Sequence, residues 1–469
     1  MKKLNILLCT LFALAGMSCT NYLDIKPYGR TIPKTAEEFE ALLNNHLNKI
    51  DEGSDNILVG NASQYITWDA ECGDDFETCL TTQEGIALKI YLGDAAGSDR
   101  AAYMYRDLYA VIRDCNIVLG EMKEEGTDRS NKVKATAYAL RAVSYYQLMR
   151  LFCEAPEKAS MASQQGVPLV MTFDMEEKPL RRNLQETVTR IEDDLKASID
   201  YHMTDDIYRF TEDVCKGYLA RLYFWTEQWD KALPLAQELL KKHPLLGREE
   251  YKNMMGTAYD MVGNQILKAY RAVSVSGSTA ITSSRRSLQA RPVSTRLLSL
   301  FTDEEKTTDV RYAMWVNSSR QATKEFFCGM RSAEFKLMEA ECYYHMNQKE
   351  KALQSVNELR ANRISNYASL TEDKLPAVSS KEIIKVDAEG KALTPLLAFI
   401  LSERRKEMFL EGDRFFEMKR NGTPEFWTAY NGRKYTTESF MYTFPIPVND
   451  ILIVDGLKQN PGYDELQSN

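Results

Sequence analysis

The segment 219–244 recurs in outline 120 residues further along the chain. The first copy carries Ala220, Tyr223, Trp229, the triplet Lys231, Ala232 and Leu233, then Leu239 and Pro244. The second sets Ala340, Tyr343, Lys351, Ala352, Leu353 and Leu359 in the same register. Within each copy apolar residues return at three- and four-residue steps, the spacing of one helix face. Small residues such as Ala220 and Ala232 let two helices approach closely, while Tyr223 and Trp229 fill the space between neighbouring pairs. A helix pair of this kind cannot bury its apolar face alone, so copies must stack on one another or on further helices.

The unit resembles the tetratricopeptide repeat, a helix–turn–helix of about 34 residues. A third, more degenerate member lies at 132–152, with Ala135, Ala139, Leu140, Ala142, Tyr145 and Tyr146. Helical spacing also marks 103–121, 184–202, 212–227, 230–242, 333–346, 349–363 and 395–419, whereas two-residue alternation is rare. The fold class expected is mainly α, with tetratricopeptide-like helix pairs as scaffold and long irregular insertions. Trp225 and Trp229 then belong to the core, and much of the complement of 25 tyrosines is packing.

The amino terminus has a different logic. Lys2 and Lys3 precede an apolar run from Leu4 to Ala15, too short to span a bilayer stably, and Gly16 and Ser18 precede Cys19. This resembles a bacterial lipoprotein signal, in which the cysteine is lipidated and becomes the first mature residue; the alternative is ordinary signal cleavage with an incidental cysteine. Removing residues 1–18 takes away two lysines and no acid, moving the net charge from −8 to −10. Seven of the nine cysteines remain after Cys9 and Cys19 are set aside. Cys72 and Cys79 flank a loop and can pair in an oxidising compartment, while the others fall in helical patterns as small buried residues.

An acidic chain without clustered lysines and arginines is a poor match for nucleic acid. The four histidines (His46, His202, His243 and His345) are too dispersed for a metal motif, and no metal is expected. No Walker loop, dinucleotide fingerprint or GxSxG elbow occurs, so neither a cofactor nor catalysis is expected. A glycosidase needs two carboxyls facing each other across a sugar, whereas the adjacent acids at 71–75 and 303–305 read as solvated runs.

Four motifs occur in order: CTNYLDIKP at 19–27; EAECY at 339–343 followed by Ala352, Asn357, Leu359, Arg360 and Arg363; ERRKEMFLEGDRFFEMKR at 403–420; and FPIP at 444–447 with QNPGY at 459–463. Together they resemble the SusD/RagB family of Bacteroidetes outer-membrane lipoproteins over nearly the whole chain. The division expected is a signal peptide at 1–18, a lipid anchor and tether at 19–35, a helical SusD-like region at 36–250 and a SusD/RagB-like region at 251–469. The resemblance implies a cell-surface protein, lipidated at Cys19, that binds a nutrient and acts as a lid on a SusC-like TonB-dependent transporter. An oligosaccharide ligand leads; a peptide ligand, or a purely structural adaptor, are the alternatives. Within 403–420, Met408, Phe409, Phe415, Phe416 and Met418 can form a packed face, with Arg404, Glu407, Glu411 and Arg414 in near-turn ion pairs and Gly412 and Gly422 as breaks. That run reads as a salt-bridged scaffold.

Irregular stretches at 51–96, 270–296 and 302–329 are where binding is expected, because long loops on a rigid body commonly carry it. Stacking aromatics with hydrogen-bonding neighbours suit sugars. The candidates are Trp68 with Tyr65 and Asp69, and Trp315 with Tyr312 and Arg311. Each tryptophan can equally plug its loop against the body.

Overall fold

A computed structural model of the chain describes residues 33–77, 99–174, 176–256, 265–268, 288–289, 291–430 and 433–463. The signal segment, Cys19, Cys79 and all but the end of the expected tether lie outside these residues; Cys72 is buried. No helix among the described residues is long and apolar enough to cross a membrane.

Helix α1 (Ala36–Asp51) starts at a capping box, Thr35 accepting the Glu38 N–H while the Glu38 carboxylate accepts that of Thr35. Helix α2 (Ala62–Ile66) runs on into a π-helical turn, Thr67–Glu71. Long helices α3 (Asp99–Glu121) and α4 (Asp128–Phe152) follow. The hairpin of β1 (Gln165–Pro168) and β2 (Arg181–Asn183) leads into α5 (Leu184–Ile199), capped by Asn183. Then come α6 (Glu212–Trp225), α7 (Trp229–Lys242) and α8 (Arg248–Gly256). Strand β3 (Gln265–Lys268) pairs with the later β4 (Gly329–Arg331) across short helices α9 (Thr295–Leu298), α10 (Glu305–Thr308) and α11 (Val310–Trp315). Helices α12 (Ser332–His345) and α13 (Lys349–Ala361) form the next pair. The chain ends through α14 (Pro395–Glu407), α15 (Arg414–Arg420), the hairpin β5 (Phe426–Tyr430) and β6 (Arg433–Thr437), and α16 (Val448–Ile453).

Helices α3 to α7 pack in succession, α7 packs on α12, and α12 packs on both α13 and α14. The chain is mainly helical, and the three two-stranded antiparallel sheets among the described residues are small. The expected 120-residue correspondence holds down to single hydrogen bonds. Helix α6 aligns with α12 and α7 with α13, and Gln228 N–H donates to Tyr223 O at 2.8 Å as Gln348 N–H does to Tyr343 O. Ala220, Ala232, Ala340 and Ala352 are all fully buried where the helices meet. Trp225 and Trp229 are buried as expected.

Two departures matter. The helical window at 395–419 is not continuous: it breaks next to Gly412, one of the two expected break positions, where Leu410 and Gly412 take left-handed conformations (φ 57° and 72°) that turn α14 into α15. A Cβ at Gly412 would also stand 3.0 Å from the Tyr65 ring. Second, the stretches at 51–96 and 302–329 are not simply loops: Trp68 sits in the π-helical turn and Arg311, Tyr312 and Trp315 on α11.

Candidate functional site

The charge-rich run of α14 and α15 organises the carboxy-terminal half from within. Glu403, Arg404, Arg405, Lys406 and Glu407 are all buried, as are Glu411, Arg414 and Glu417. Near-turn pairs do occur, Lys406 to Glu403 at 2.6 Å and Arg414 to Glu417 at 2.7 Å. Most partners, however, come from distant segments. Glu407 is met by Arg331 (2.6 Å), Arg363 (3.0 Å) and Arg311 (3.2 Å), and Glu411 by Lys324 (2.6 Å) and Arg331 (2.8 Å). Burial pushes the Glu407 carboxyl up, but Arg363, Arg331 and Arg311 outweigh it and hold it below the usual carboxylate range. The run is therefore a scaffold, as expected, but an interior one rather than a solvated face.

Of the six candidate residues expected to meet a ligand from loops, Tyr65, Trp68, Asp69, Arg311 and Trp315 are buried and Tyr312 is partly buried, so the plugging alternative describes the two tryptophans. Trp68 is 3% exposed, its ring stacked on Phe415 at 5.2 Å and flanked by Phe416 and Phe444. Tyr65 is buried with its hydroxyl donating to Val59 O (3.0 Å), and Asp69 is fully buried, accepting the Gly412 N–H at 2.8 Å. Tyr65 and Trp68 do line a cavity, of about 90 Å³. That has room for a few waters but not a sugar ring. Trp315 is wedged among Phe301, Phe409 and Tyr312's neighbours in the second apolar cluster, with Tyr312 partly buried at its margin. Arg311 is fully enclosed by Asp309 (2.7 Å), Glu403 (2.8 Å) and Glu407. The buried aromatic rings seal the body beneath these segments, Arg311 is matched by carboxylates, and Asp69 holds the backbone of the turn between α14 and α15.

An open cavity of about 580 Å³ lies between the segment 299–308, the segment 364–384 and α14. Asn357 on α13 pins its wall. The Asn357 side-chain oxygen accepts from the Tyr367 hydroxyl (2.5 Å) and the Leu370 N–H (3.0 Å), and its amide donates to Leu370 O (3.0 Å). Arg360, one helical turn on, donates to the Tyr367 hydroxyl at 3.0 Å while its other nitrogens hold Glu305 and Glu403. Glu305 is raised by burial but lowered more by Lys406 and Arg360, so it stays ionised beneath the cavity. Above this base the half-buried Tyr367 and exposed Asn366 and Lys374 border the opening. The lining thus combines an aromatic ring, hydroxyl and amide groups and apolar wall, a mix suited to a polar ring-shaped ligand. Sequence reading picked out Asn357 and Arg360 as motif residues but not Tyr367, which sits in a stretch without periodicity; the motif pair that holds it was the available signal.

A different kind of aromatic stands outside. Trp427 on β5 is 56% exposed, with Lys434 Nζ 5.5 Å from its ring centre across the hairpin.

Two family models match the chain: the SusD family over residues 301–463, and a family described as starch-binding, associating with the outer membrane, over 21–224. A SusD superfamily protein from Bacteroides thetaiotaomicron superposes with a TM-score of 0.68 at 18% identity, covering 91% of this chain and 100% of its own. A protein from Bacteroides vulgatus also gives 0.68, at 20% identity over 92% of this chain and 100% of its own. A SusD-like carbohydrate binding protein from the same species gives 0.65 at 19% identity, covering 93% and 99%. No curated protein matches.

Proposed function

This chain belongs to the SusD family, and on that premise we propose that it is a sugar-binding protein of the outer membrane that hands an oligosaccharide to a TonB-dependent transporter. The observation that carries the reading is the open cavity of about 580 Å³ with Tyr367 in its wall. A fixed ring supported from behind by Asn357 and Arg360 offers a preformed stacking partner, which spares a ligand the cost of ordering it. Neighbouring hydroxyl, amide and lysine groups supply directional hydrogen bonds to sugar hydroxyls. No covalent chemistry is required of these residues, and the role is capture rather than catalysis.

The anchor in this reading is lipid on Cys19, with residues 20–34 as tether into the capped start of α1. The helix pairs act as a tetratricopeptide-like platform for the transporter, and the lipoprotein serves as its lid. Calorimetry of the purified protein against a panel of neutral oligosaccharides tests the binding step. Heat from at least one glycan, lost in Tyr367→Ala, supports the reading. No heat from any glycan favours the adaptor, and heat from peptides alone favours the peptide-binding alternative. Co-purification of a transporter tests the delivery step.

A further inference from the structure

The cavity of about 90 Å³ that Tyr65 and Trp68 line runs between α4, α6, α12 and the turn joining α14 to α15. Its wall holds more cation than it pairs. Each carboxylate on it is claimed: Glu334 by Arg221 (2.6 Å), Asp413 by Arg404 (2.6 Å), Glu411 by Lys324 (2.6 Å) and Glu417 by Arg414 (2.7 Å). Arg420 is matched with Glu341 at 2.6 Å. Arg150 is the exception. It is half-buried on α4, and among the described residues its guanidinium meets no carboxylate. It packs instead against aromatic rings, 3.5 Å from the centre of Phe416 and 5.6 Å from that of Trp225.

Three nitrogens from residues of this wall are buried and bonded to no protein atom: Arg150 Nε, Trp225 Nε1 and Arg404 Nη1. Trp225 is 5% exposed and Arg404 7%. Arg404 gives Nε and Nη2 to Asp413, which leaves Nη1 over. A ring face attracts the charge of a guanidinium but is a poor acceptor for its in-plane N–H groups, so stacking does not complete Arg150. Open donors gathered in one buried place carry a cost that packing alone does not return. One acceptor is open as well, Glu417 Oε1. Its other oxygen takes Arg414, and burial raises this carboxyl to about 7, so near neutrality much of it carries a proton and can donate.

We propose that this cavity is a subsite for a small anion, a halide or a carboxylate group, held by the Arg150 guanidinium with the Trp225 and Arg404 N–H groups. Charge-assisted N–H donors suit such an anion, and Arg150 is the cation it would neutralise. The cavity admits chloride or formate and excludes a sugar ring, so an acidic sugar would reach it by its carboxylate alone, past the half-buried Gln64 and Gln147. A free anion and a uronate carboxylate share this chemistry. Either would tie α4 and α6 to α14, joining early and late parts of the chain. The subsite is separate from the Tyr367 cavity and does not rest on the proposal made for it.

Thermal melts of the purified protein, in sodium HEPES at fixed pH and ionic strength, test it with four probes: chloride, formate, glucuronate and glucose. Chloride or formate, at ten times the concentration giving half the effect, should raise the melting temperature by about 1–3 °C. A shift by glucuronate beyond that by glucose identifies the carboxylate of an acidic sugar as the source, and a shift by the small anions alone identifies a free anion. Arg150→Gln and Trp225→Phe should each remove at least half of the shift. Trp225→Phe keeps the ring and loses only the N–H, which separates lost binding from lost packing. Glu417→Gln should keep or enlarge the shift, whereas an occupying cation predicts the reverse. Crystals soaked in sodium bromide should show an anomalous peak in this cavity. No anion-specific shift (the result for a cavity holding water alone), a shift undiminished in Arg150→Gln and Trp225→Phe, its loss in Glu417→Gln, or bromide only elsewhere would overturn the assignment.

Discussion

Glu227 and Asn347 stand 120 positions apart and share one backbone conformation, φ 57° and 59°, at the turn of their helix pairs. The same fold is thus written with a residue that tolerates the left-handed region in one copy and one that does not in the other. Replacing Glu227 by Asn or Gly should raise stability by about 0.5–1 kcal/mol, since it relieves strain without touching a side-chain bond. The converse change, Asn347→Glu, should lower it by a similar amount. Chemical denaturation of the two variants checks the pair.

Two carboxyls contribute to the pH dependence of stability with the same sign. Glu417 is raised to about 7 by burial, in spite of Arg414, and Glu227 is raised to about 7 by burial and Glu389. A carboxyl whose pKa is higher in the folded than in the unfolded chain binds its proton more tightly when folded. Its contribution is full below the ordinary 4.5 and is lost as pH rises through 7. Relative to the parent protein, Glu417→Gln should therefore lose less melting temperature, or gain more, between pH 5 and pH 7.5. A profile identical to the parent's would rule Glu417 out as a contributor.

Trp68→Ala and Trp315→Ala should lower stability by about 3–5 kcal/mol each, the usual cost of deleting a large buried ring. Both tryptophans are enclosed by aromatic neighbours, Phe415 at 5.2 Å for one and Phe409 at 5.4 Å for the other. Thermal melts decide between this and a surface role, which predicts an unchanged melting temperature.

Arg311→Met should cost about 3–5 kcal/mol, because it leaves Asp309, Glu403 and Glu407 facing one another without their shared cation. The double variant Arg311→Met with Glu403→Gln should recover part of the loss, since removing both members of a buried pair strands less charge.

The contrast between these residues and the helix pairs explains what was legible in the sequence. Ala220, Tyr223 and Trp229 report their roles through local spacing, because a helix face is set by neighbours three and four positions away. The partners of Glu407 are not local: Arg311 and Arg331 lie 96 and 76 positions away. A dense charge run shows only its near-turn partners in the sequence, and the tertiary fold supplies the distant ones that let it turn inward. Tryptophan beside Gly, Ser and Thr likewise reads as a loop platform, yet the π-helical turn and α11 point those rings into the body. Tyr367 was the reverse case. Nothing in its own stretch marks it, and its position is dictated by Asn357 and Arg360 on the preceding helix.

Tyr367 and Asn357 supply a last test, one that separates holding the ring from using it. Tyr367→Phe removes the hydroxyl that bridges Asn357 and Arg360 but keeps the ring, so affinity for a neutral oligosaccharide should fall only a few-fold as the wall loosens. Tyr367→Ala removes the ring and should cost about 1–3 kcal/mol of binding, on the scale of one lost aromatic contact in a pocket. Asn357→Ala frees the Leu370 backbone as well and should act like Tyr367→Phe on affinity while lowering the melting temperature more. A ranking in which Tyr367→Ala binds as well as the parent protein would place the sugar elsewhere, and the exposed Trp427 with Lys434 beside it is then the first surface to probe.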